Sequence, residues 1–209
     1  QGLVIDGDEN NAVSQRLAAL RGKTRTGKWL HEVMLSQNAS RTRFRTNGEE
    51  SSGLRGRVNK AEWTASRAFT SDVVTHSLAL GMQYEQRKFR NFSASFAGAN
   101  HRAKDQQRSQ FVEYLLRAGQ RSFSVSARHD NNQRFANLTT WRVTATKAIT
   151  ANTRAHASWG EGSANPTFFE LFGFIPDSFV GNPDLKPETS RGWDLGLAAD
   201  FCSGACREI

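Results

Sequence analysis

The sequence predicts an all-β protein, an antiparallel up-and-down transmembrane β-barrel segment of about nine strands. Three features predict this fold. Apolar and polar residues alternate with a period of two, the links between the alternating segments are short and long in turn, and large aromatic residues collect at segment ends. Because successive side chains of a strand point to opposite faces, such a sheet can turn one face to lipid and the other to an aqueous lumen.

Composition agrees with a barrel and excludes other classes. The 209 residues are 37% hydrophobic, the mean hydropathy is −0.60, and no apolar run approaches the ~18 residues of a membrane-spanning helix. The net charge of +8 raises the question of a nucleic-acid partner. The basic residues are spread along the chain, however, without a zinc-finger, helix-turn-helix or RRM signature, so no nucleic-acid partner is expected.

Four strands are predicted in the first half of the chain, and the fourth is the clearest. In it Val74, Leu78 and Leu80 alternate with Thr75 and Ser77, the pattern of a half-apolar strand. The third strand has no clear phase. The predicted strands cover residues 14–24, 28–38, 53–67 and 72–85. Their links are short at 24–27 and 69–71, and long at 39–52 and 86–107.

Five more strands are predicted in the second half, and their links continue the alternation. The apolar phases of these strands contain Val112, Val125, Val143, Ala157 and Leu195. Outer-membrane barrels have tight periplasmic turns and longer extracellular loops, so the short links are assigned to the periplasmic end. The links are short at 119–120, medium at 129–137, short at 150–152 and long at 160–190.

The alternation also predicts which residues face lipid and which face the lumen. Trp and Tyr favour membrane interfaces, and with this sidedness Tyr84, Trp141, Trp159 and Trp193 fall at outer strand ends. Nine strands in an open sheet would leave two unpaired edges in lipid, so we expect a piece of a larger barrel. The predicted lipid-facing residues are Val74, Leu78, Leu80, Tyr84, Val125, Val143, Leu195 and Leu197. The predicted lumen-facing residues are Thr75, Ser77, Ser124, Arg142, Thr144, Arg154 and His156.

The most distinctive stretch is residues 160–196, in which a strand end runs into an aromatic cluster and a Pro-braced link. Proline at positions 183 and 187 forces the preceding residues to be extended, and Gly181 is expected to supply a positive φ for a tight turn. The residues that form the motif are Pro166, Thr167, Glu170, Leu171, Phe172, Gly173, Gly181, Asn182, Pro183, Leu185, Pro187, Glu188, Ser190 and Trp193.

This motif resembles the signature of TonB-dependent outer-membrane receptors. In that family a strand ends near A-x-P-T-x-x-E-L-F/Y-G, and the pattern continues as G-N-P-x-L-x-P-E-x-S before an aromatic residue that starts the next strand. Asn165 departs from the family pattern, which more often has a small or basic residue before the proline. The resemblance covers about one sixth of the chain.

The resemblance implies a receptor of ~22 strands with a plugged lumen. It implies energy-coupled uptake of a scarce metal chelate, a ferric siderophore or cobalamin, across the outer membrane of a Gram-negative bacterium. The implied partners are the TonB complex, the lipid bilayer, lipopolysaccharide and the chelate. TonB would act through an N-terminal plug that is expected to be missing here. Residues 1–201 are accordingly expected to be a partial TonB-dependent receptor β-barrel, and residues 202–209 an anomalous tail.

The candidate substrate-binding residues are aromatic and basic. Phe174 and Phe179 lie in the variable segment between the two halves of the motif. Arg87, Lys88 and Arg90 lie in the predicted basic loop 86–107, which is expected to meet anionic lipopolysaccharide or an anionic chelate. The motif residues expected to be structural are Pro166, Glu170, Leu171, Gly181, Asn182, Pro183, Pro187 and Glu188.

The sequence shows no catalytic or metal-binding pattern, so neither an enzyme nor a cofactor is expected. The five histidines are scattered without metal-ligand spacing, and no nucleophile elbow or phosphate loop is present. Cys202 and Cys206, spaced C-x₃-C, form neither a disulfide framework nor a four-ligand zinc site. Two other functions stay open, a passive porin or structural outer-membrane barrel and a soluble basic β-protein that binds polyanions.

Overall fold

A computed structural model describes residues 8–175 and 179–200, and nine of its strands form one antiparallel sheet. Each strand of this sheet pairs with the preceding one, from β1 through β8 to the last strand, β11. The predicted all-β fold with next-neighbour pairing is thus confirmed. The strands are β1 (Glu9–Thr26), β2 (Trp29–Thr46), β3 (Glu49–Ser71), β4 (Val74–Ser93), β5 (His101–Ala118), β6 (Arg121–Asn132), β7 (Leu138–Ala148), β8 (Thr153–Ala164) and β11 (Glu188–Ala199).

The link between β8 and β11 contains most of the structure outside the sheet. It holds a five-residue helix, α1 (Phe168–Phe172), and a small ribbon of β9 (Phe174–Ile175) paired with β10 (Phe179–Val180). A single 3-10 turn at Ala97–Ala99 lies between β4 and β5. Within the two described ranges, no helix is long and apolar enough to cross a membrane.

Tight turns join the strands at the end of the sheet that sequence analysis assigns to the periplasm. Gly27, Asp72 and Gly119 occupy three of these turns with φ of 59°, 52° and 53°. This is the left-handed conformation that two-residue hairpin turns require. The fourth link at this end, residues 149–152, is also short. The prediction of short links at this end is confirmed, although the link expected at 69–71 lies at 72–73, because β3 continues to Ser71.

At the opposite end the strands are longer than predicted. The expected long link 39–52 is instead a hairpin, because β2 and β3 are separated only by Asn47 and Gly48. These two residues have φ of 53° and 80°, as a tight turn needs. The expectation that every tight turn lies at one end is therefore wrong.

The predicted basic loop 86–107 is also mostly strand. β4 continues to Ser93 and β5 begins at His101, so residues 94–100 alone connect them. In this region polar residues occupy both faces of the strands. The alternation of hydrophobicity that marks a strand in the sequence is therefore lost, while the backbone hydrogen-bond ladder continues.

Strand pairing divides the side chains into two faces as predicted. Directly paired residues share a face, and residues two apart on a strand share it as well. All predicted lipid-facing residues lie on one face, named here the apolar face, and all predicted lumen-facing residues lie on the other, the polar face. One row of the apolar face runs through Leu78, Tyr114, Val125, Val143, Trp159 and Trp193.

Few apolar side chains are buried, because the nine strands form a single-layer sheet without a second layer packed on its apolar face. Among the described residues the buried hydrophobic side chains are Ala65, Ala99 and Leu171. On the apolar face Leu195 and Leu197 are 69% and 73% exposed. Apolar surface in water costs about 25 cal/mol per Å² relative to an apolar environment. The apolar face therefore suits contact with lipid.

Candidate functional site

The candidate functional segment is the link of residues 165–187 between β8 and β11, named here the motif loop. Asn165 Nδ2 donates to Gln107 Oε1 at 3.2 Å and to Asn132 Oδ1 at 3.0 Å, and both acceptors lie on the polar face. The Phe168 ring packs against Phe89 of the same face, with centroids 5.8 Å apart. The motif loop therefore folds back over the polar face. Asn165, the residue that departs from the family pattern, is its first anchor.

Helix α1 begins with a capping box. Thr167 Oγ1 accepts a hydrogen bond from Glu170 N at 3.2 Å, and Glu170 Oε2 accepts one from Thr167 N at 2.6 Å. The bond from the Thr167 backbone lowers the pKa of the Glu170 carboxyl. This helix was not predicted, although threonine followed three residues later by glutamate is the spacing of a capping box. This helix start accounts for the threonine and glutamate of the motif.

Backbone hydrogen bonds join the two halves of the motif. Gly181 N donates to Gly173 O, and Asn182 N donates to Glu170 O, both at 2.8 Å. Leu171, which lies within the first half, is 1% exposed. The conformation of the second half therefore depends on the helix in the first.

Gly181 is required for close approach of the backbone. A Cβ at this position would lie 2.6 Å from Phe172 N and 2.7 Å from Leu171 C, which is closer than packed atoms tolerate. Its φ is not in the left-handed region, where the described glycines are Gly27, Gly48 and Gly119. The structural role predicted for Gly181 fits this packing, but the predicted reason, a positive φ, is wrong.

The other structural motif residues lie at the two ends of the motif loop. Pro166 directly precedes the helix cap. In the second half, Asn182 Oδ1 accepts a hydrogen bond from Asp184 N at 2.9 Å, an Asx turn that encloses Pro183. Pro187 then precedes the first residue of β11, Glu188, which pairs with Ala164. The motif loop thus returns to the sheet directly beside the strand that it left.

Buried polar side chains on the polar face form a network across β4, β5 and β6. Asp105 is 1% exposed and forms an ion pair with Arg87. Ser109, 2% exposed, accepts a hydrogen bond from Arg128 Nη2 at 2.8 Å, and Arg128 Nε donates to Asp130 Oδ1 at 2.9 Å. Both buried carboxylates therefore have a cationic partner, as burial of charge requires. This network was not predicted, because its members are distant in the sequence and only strand register brings them together.

The three basic residues predicted to bind substrate do not form one site. Arg87 lies on the polar face, with its guanidinium carbon 5.8 Å from the centroid of the Phe168 ring. Lys88 and Arg90 pair with Lys104 and Arg102 on the opposite face, and both are exposed. Of the three, Arg87 alone lies beside the motif loop, and its contact with substrate stays a prediction.

Phe174 and Phe179, the two predicted aromatic contacts, have different surroundings. Phe174 stacks on Phe96 with centroids 4.6 Å apart and an interplanar angle of 14°. Phe179 stacks on Phe169 at 4.9 Å and 8°, and so packs against the motif loop itself. Phe174 also lines a cavity. Ligand contact is therefore available to Phe174 in particular.

This cavity has a volume of about 880 Å³ and lies between the motif loop and the outer ends of β1 to β4. Its size falls within the range of small-molecule sites. The lining combines aromatic rings with hydrogen-bonding groups. Its members include Phe44, Arg45, Thr46, Ser51, Ser52, Asn91, Ser93, Phe169 and Phe174.

The histidines make structural contacts. His101 stacks on Phe172 with centroids 4.1 Å apart, and His156 Nε2 lies 3.1 Å from Asp194 Oδ1. In residues 8–175 and 179–200, no three His, Cys, Asp or Glu side chains are grouped to hold a metal ion. The predicted anomalous tail, 202–209 with both cysteines, lies outside the described residues.

The sequence matches a family of receptors and is similar to two vitamin B12 transporters. The family described as TonB dependent receptor-like, beta-barrel matches residues 6–201. The chain is 33% identical over 88 residues to the vitamin B12 transporter BtuB of Photobacterium profundum, covering 42% of this chain and 14% of that protein. It is 31% identical over 121 residues to BtuB of Vibrio vulnificus, covering 58% of this chain and 19% of that protein. The chain therefore spans less than a fifth of the length of these relatives.

The structure is similar to a solved receptor of the same architecture. The siderophore receptor PirA from Pseudomonas aeruginosa matches with a TM-score of 0.80 over 94% of this chain and 38% of that one, at 13% identity. At that identity the likeness concerns the fold alone. The family match, in contrast, covers nearly the whole chain, and the signature residues form the capped helix and the backbone hydrogen bonds between the two halves of the motif. The chain therefore belongs to the TonB-dependent receptor family, as part of its β-barrel.

Proposed function

We propose that the chain is part of a receptor for energy-coupled uptake of a metal chelate of the ferric siderophore or cobalamin class. The observation that carries this proposal is the cavity of about 880 Å³ between the motif loop and the outer strand ends. A ligand bound there would be held at the mouth of the lumen before entry. The relatives named a vitamin B12 transporter and a siderophore receptor support this choice of ligand class.

The lining of the cavity suits a bulky ligand that is partly apolar and rich in oxygen atoms. Phe44 and Phe174 offer flat apolar surface, and Ser52 and Asn91 offer hydrogen bonds. A few convergent polar groups in a mostly apolar pocket give orientation and specificity. An anionic ferric chelate would also be attracted by Arg45, which lines the same cavity.

The proposed location is the outer membrane of a Gram-negative bacterium. The exposed aromatic and aliphatic side chains of the apolar face, such as Trp193 and Leu195, support contact with the bilayer. Energy coupling is proposed to come from the TonB complex through the plug of the whole receptor. We propose no enzymatic step and no resident cofactor, because the metal is cargo within the chelate.

The test is a binding comparison of two phenylalanine variants in the full-length receptor. Phe174→Ser removes a ring that lines the cavity, whereas Phe179→Ser removes one that packs on Phe169. Covering a phenylalanine contributes about 1.5–3 kcal/mol, so Phe174→Ser should weaken chelate binding by about 10-fold to 100-fold. The probes are a panel of ferric siderophores and cyanocobalamin, measured by equilibrium binding. Phe179→Ser is the matched control and should weaken binding less.

Barrel folding and energy dependence are measured beside binding. Heat-modifiable migration on gels should be unchanged for Phe174→Ser, since the loss is at the ligand site. Uptake of the bound chelate should stop in cells that lack TonB. Uptake that continues in those cells would instead indicate a passive porin. If no probe binds the wild-type receptor, the proposed ligand class is wrong.

A further inference from the structure

Asn165 is the residue at which the motif loop leaves β8 and begins to cross the polar face. β8 pairs with β7 and β11, whereas the two residues that hold the Asn165 side chain belong to β5 and β6. The motif loop then reaches β4, where Phe168 stacks on Phe89. Four strand spacings, or about 19 Å, separate β8 from β4 in the sheet. The direction of this crossing is therefore set at its first residue.

The two oxygen atoms that accept hydrogen bonds from Asn165 have fixed orientations. Gln107 Nε2 donates to Asp130 Oδ1 at 3.0 Å, so Gln107 Oε1 is left as an acceptor. Asn132 Nδ2 donates to Ala136 O at 3.2 Å, so Asn132 Oδ1 is left as an acceptor as well. Asn132 is 8% exposed, and a buried acceptor needs a donor from the protein.

Two oriented acceptors that face one atom require a donor with two hydrogens. The side-chain amide nitrogen of Asn165 has two, and it lies 3.2 Å from Gln107 Oε1 and 3.0 Å from Asn132 Oδ1. A hydroxyl has one such hydrogen, and a carboxylate has none. An aspartate, which has nearly the same shape as asparagine, would place a negative charge against two acceptor oxygens. The site therefore fits an amide and not a carboxylate.

The motif loop forms one side of the cavity of about 880 Å³. Phe169 and Phe174 line this cavity, and Phe174 stacks on Phe96 with ring centroids 4.6 Å apart. Phe96 belongs to the link between β4 and β5 and directly precedes the 3-10 turn Ala97–Ala99. A motif loop that is displaced at Asn165 would carry Phe174 away from Phe96 and open this side of the cavity.

We propose that Asn165 is a positioning residue, which holds the motif loop across the polar face so that Phe169 and Phe174 close one side of the cavity. Asn165 itself lies outside the lining of the cavity, so it acts through the two phenylalanines. The consequence for ligand binding rests on the proposed function. The position of the motif loop, in contrast, can be measured without a ligand.

The test compares Asn165→Asp and Asn165→Ala with the wild-type full-length receptor by hydrogen-exchange mass spectrometry. At about pH 8 the protection factors should fall about 5-fold to 100-fold in both variants, the loss expected for two hydrogen bonds. The fall should appear in the amides of the motif loop. It should also appear at Asn100, whose N–H donates to Ala97 O at 3.0 Å beside the stack of Phe96 and Phe174.

Acidification separates loss of the donor from loss of packing. A carboxylate that faces acceptor oxygens is favoured in its protonated form, and a protonated carboxyl has one O–H donor. Protection in Asn165→Asp should therefore recover in part between about pH 8 and pH 5, whereas Asn165→Ala should stay low. The charged groups of the neighbouring elements are present in all variants, so Asn165→Ala also reports their own titration. These groups are His101, Asp105, Arg128, Asp130, Arg134, Glu170 and Glu188.

Asn137→Asp is the matched control, because Asn137 lies in the link between β6 and β7 and serves as an acceptor. Asn137 Oδ1 accepts a hydrogen bond from Asn132 N at 3.1 Å, and a carboxylate oxygen can accept the same bond. The substitution from asparagine to aspartate should here leave the protection factors within about twofold of wild type.

Binding of ferric siderophores and cyanocobalamin is measured on the same variants, relative to wild type at each pH. Binding should fall with protection in Asn165→Asp and recover with it in acid. The proposal is wrong if protection at the motif loop or at Asn100 is unchanged in Asn165→Asp, if acid restores nothing, or if the control loses as much. Unchanged binding despite lost protection would also overturn it. If no probe binds the wild type while protection changes as described, the proposed transport function is wrong and the positioning role of Asn165 stands.

Discussion

Leu80 is the position where the assignment of the apolar face to lipid can be tested with a predictable magnitude. Its side chain is 37% exposed and lies in the row with Ala65 and Val112. The apolar belt of β4, from Val74 to Tyr84, spans ten residue steps of about 2.6 Å each along the membrane normal. The belt is thus about 26 Å tall, close to the ~25 Å of a barrel's apolar band. Leu80 is about 16 Å from the inner rim, hence within about 3 Å of the middle.

An arginine at this depth should destabilise the barrel by about 2–4 kcal/mol. Ser77, three residues away on the polar face, is the control; it lies about 8 Å nearer the inner rim but still within the span of the apolar belt. An arginine there should change the free energy of unfolding by about 0.5 kcal/mol, as at an ordinary solvated position. The assay is a denaturant titration of the full-length receptor refolded into phospholipid vesicles, comparing Leu80→Arg and Ser77→Arg with wild type.

The two variants together separate lipid contact from general intolerance of charge. Equal losses of unfolding free energy in the two variants would mean that both faces of β4 are in contact with the same medium. A larger loss for Ser77→Arg would mean that the polar face is the one in contact with lipid. Either result would refute the assignment of faces.

The remaining predictions concern the motif loop. Gly181→Ala should separate the two halves of the motif, because its Cβ would lie 2.6 Å from Phe172 N, and amide hydrogen exchange at Asn182 should accelerate. Gly192→Ala, whose Cβ would have no neighbour within 4 Å, should not change that exchange. Because the folded pKa of Glu170 is lowered, its bond to Thr167 stabilises the start of α1 above about pH 4.5 and is lost as pH falls through the folded pKa. The protection factors of the α1 amides, which are corrected for the intrinsic pH dependence of exchange, should then fall on acidification in the wild type, whereas protection that does not change with pH would contradict this role.

The part of the fold inside the bilayer could be predicted because lipid imposes a contrast between the two faces of each strand. Val74 to Tyr84 shows this contrast, with His76 as the one polar residue in the apolar phase, and the structure places the predicted side chains on the expected faces. Beyond Tyr84 polar residues predominate on both faces, with one phenylalanine on each, Phe89 and Phe92. In such a segment a strand and a loop have the same composition. The pattern of hydrophobic residues therefore could not predict that β2 extends to Thr46 and β4 to Ser93.

The candidate site was predictable to the extent that local chemistry defines it. The Pro-braced link and the structural role of Gly181 follow from the motif. The spacing of Thr167 and Glu170 also indicates a capping box, so the start of α1 could have been predicted from the sequence. The anchoring of Asn165 to Gln107 and Asn132 was not available. Those residues lie 58 and 33 positions away, and only the pairing of β5 with β6 brings them together.

Strand register gives the basic run Arg87-Lys88-x-Arg90 two separate roles. As a loop, these residues would share one aqueous space and compete for the same anions. As part of β4, Arg87 turns toward Asp105 and the motif loop, whereas Lys88 and Arg90 turn to the outside beside Arg102 and Lys104. The positive charge of Arg87 is neutralised by Asp105. Arg87 therefore adds little net attraction for an anionic ligand. Lys88 and Arg90 are exposed on the opposite face, so they do not contribute to the site beside the motif loop.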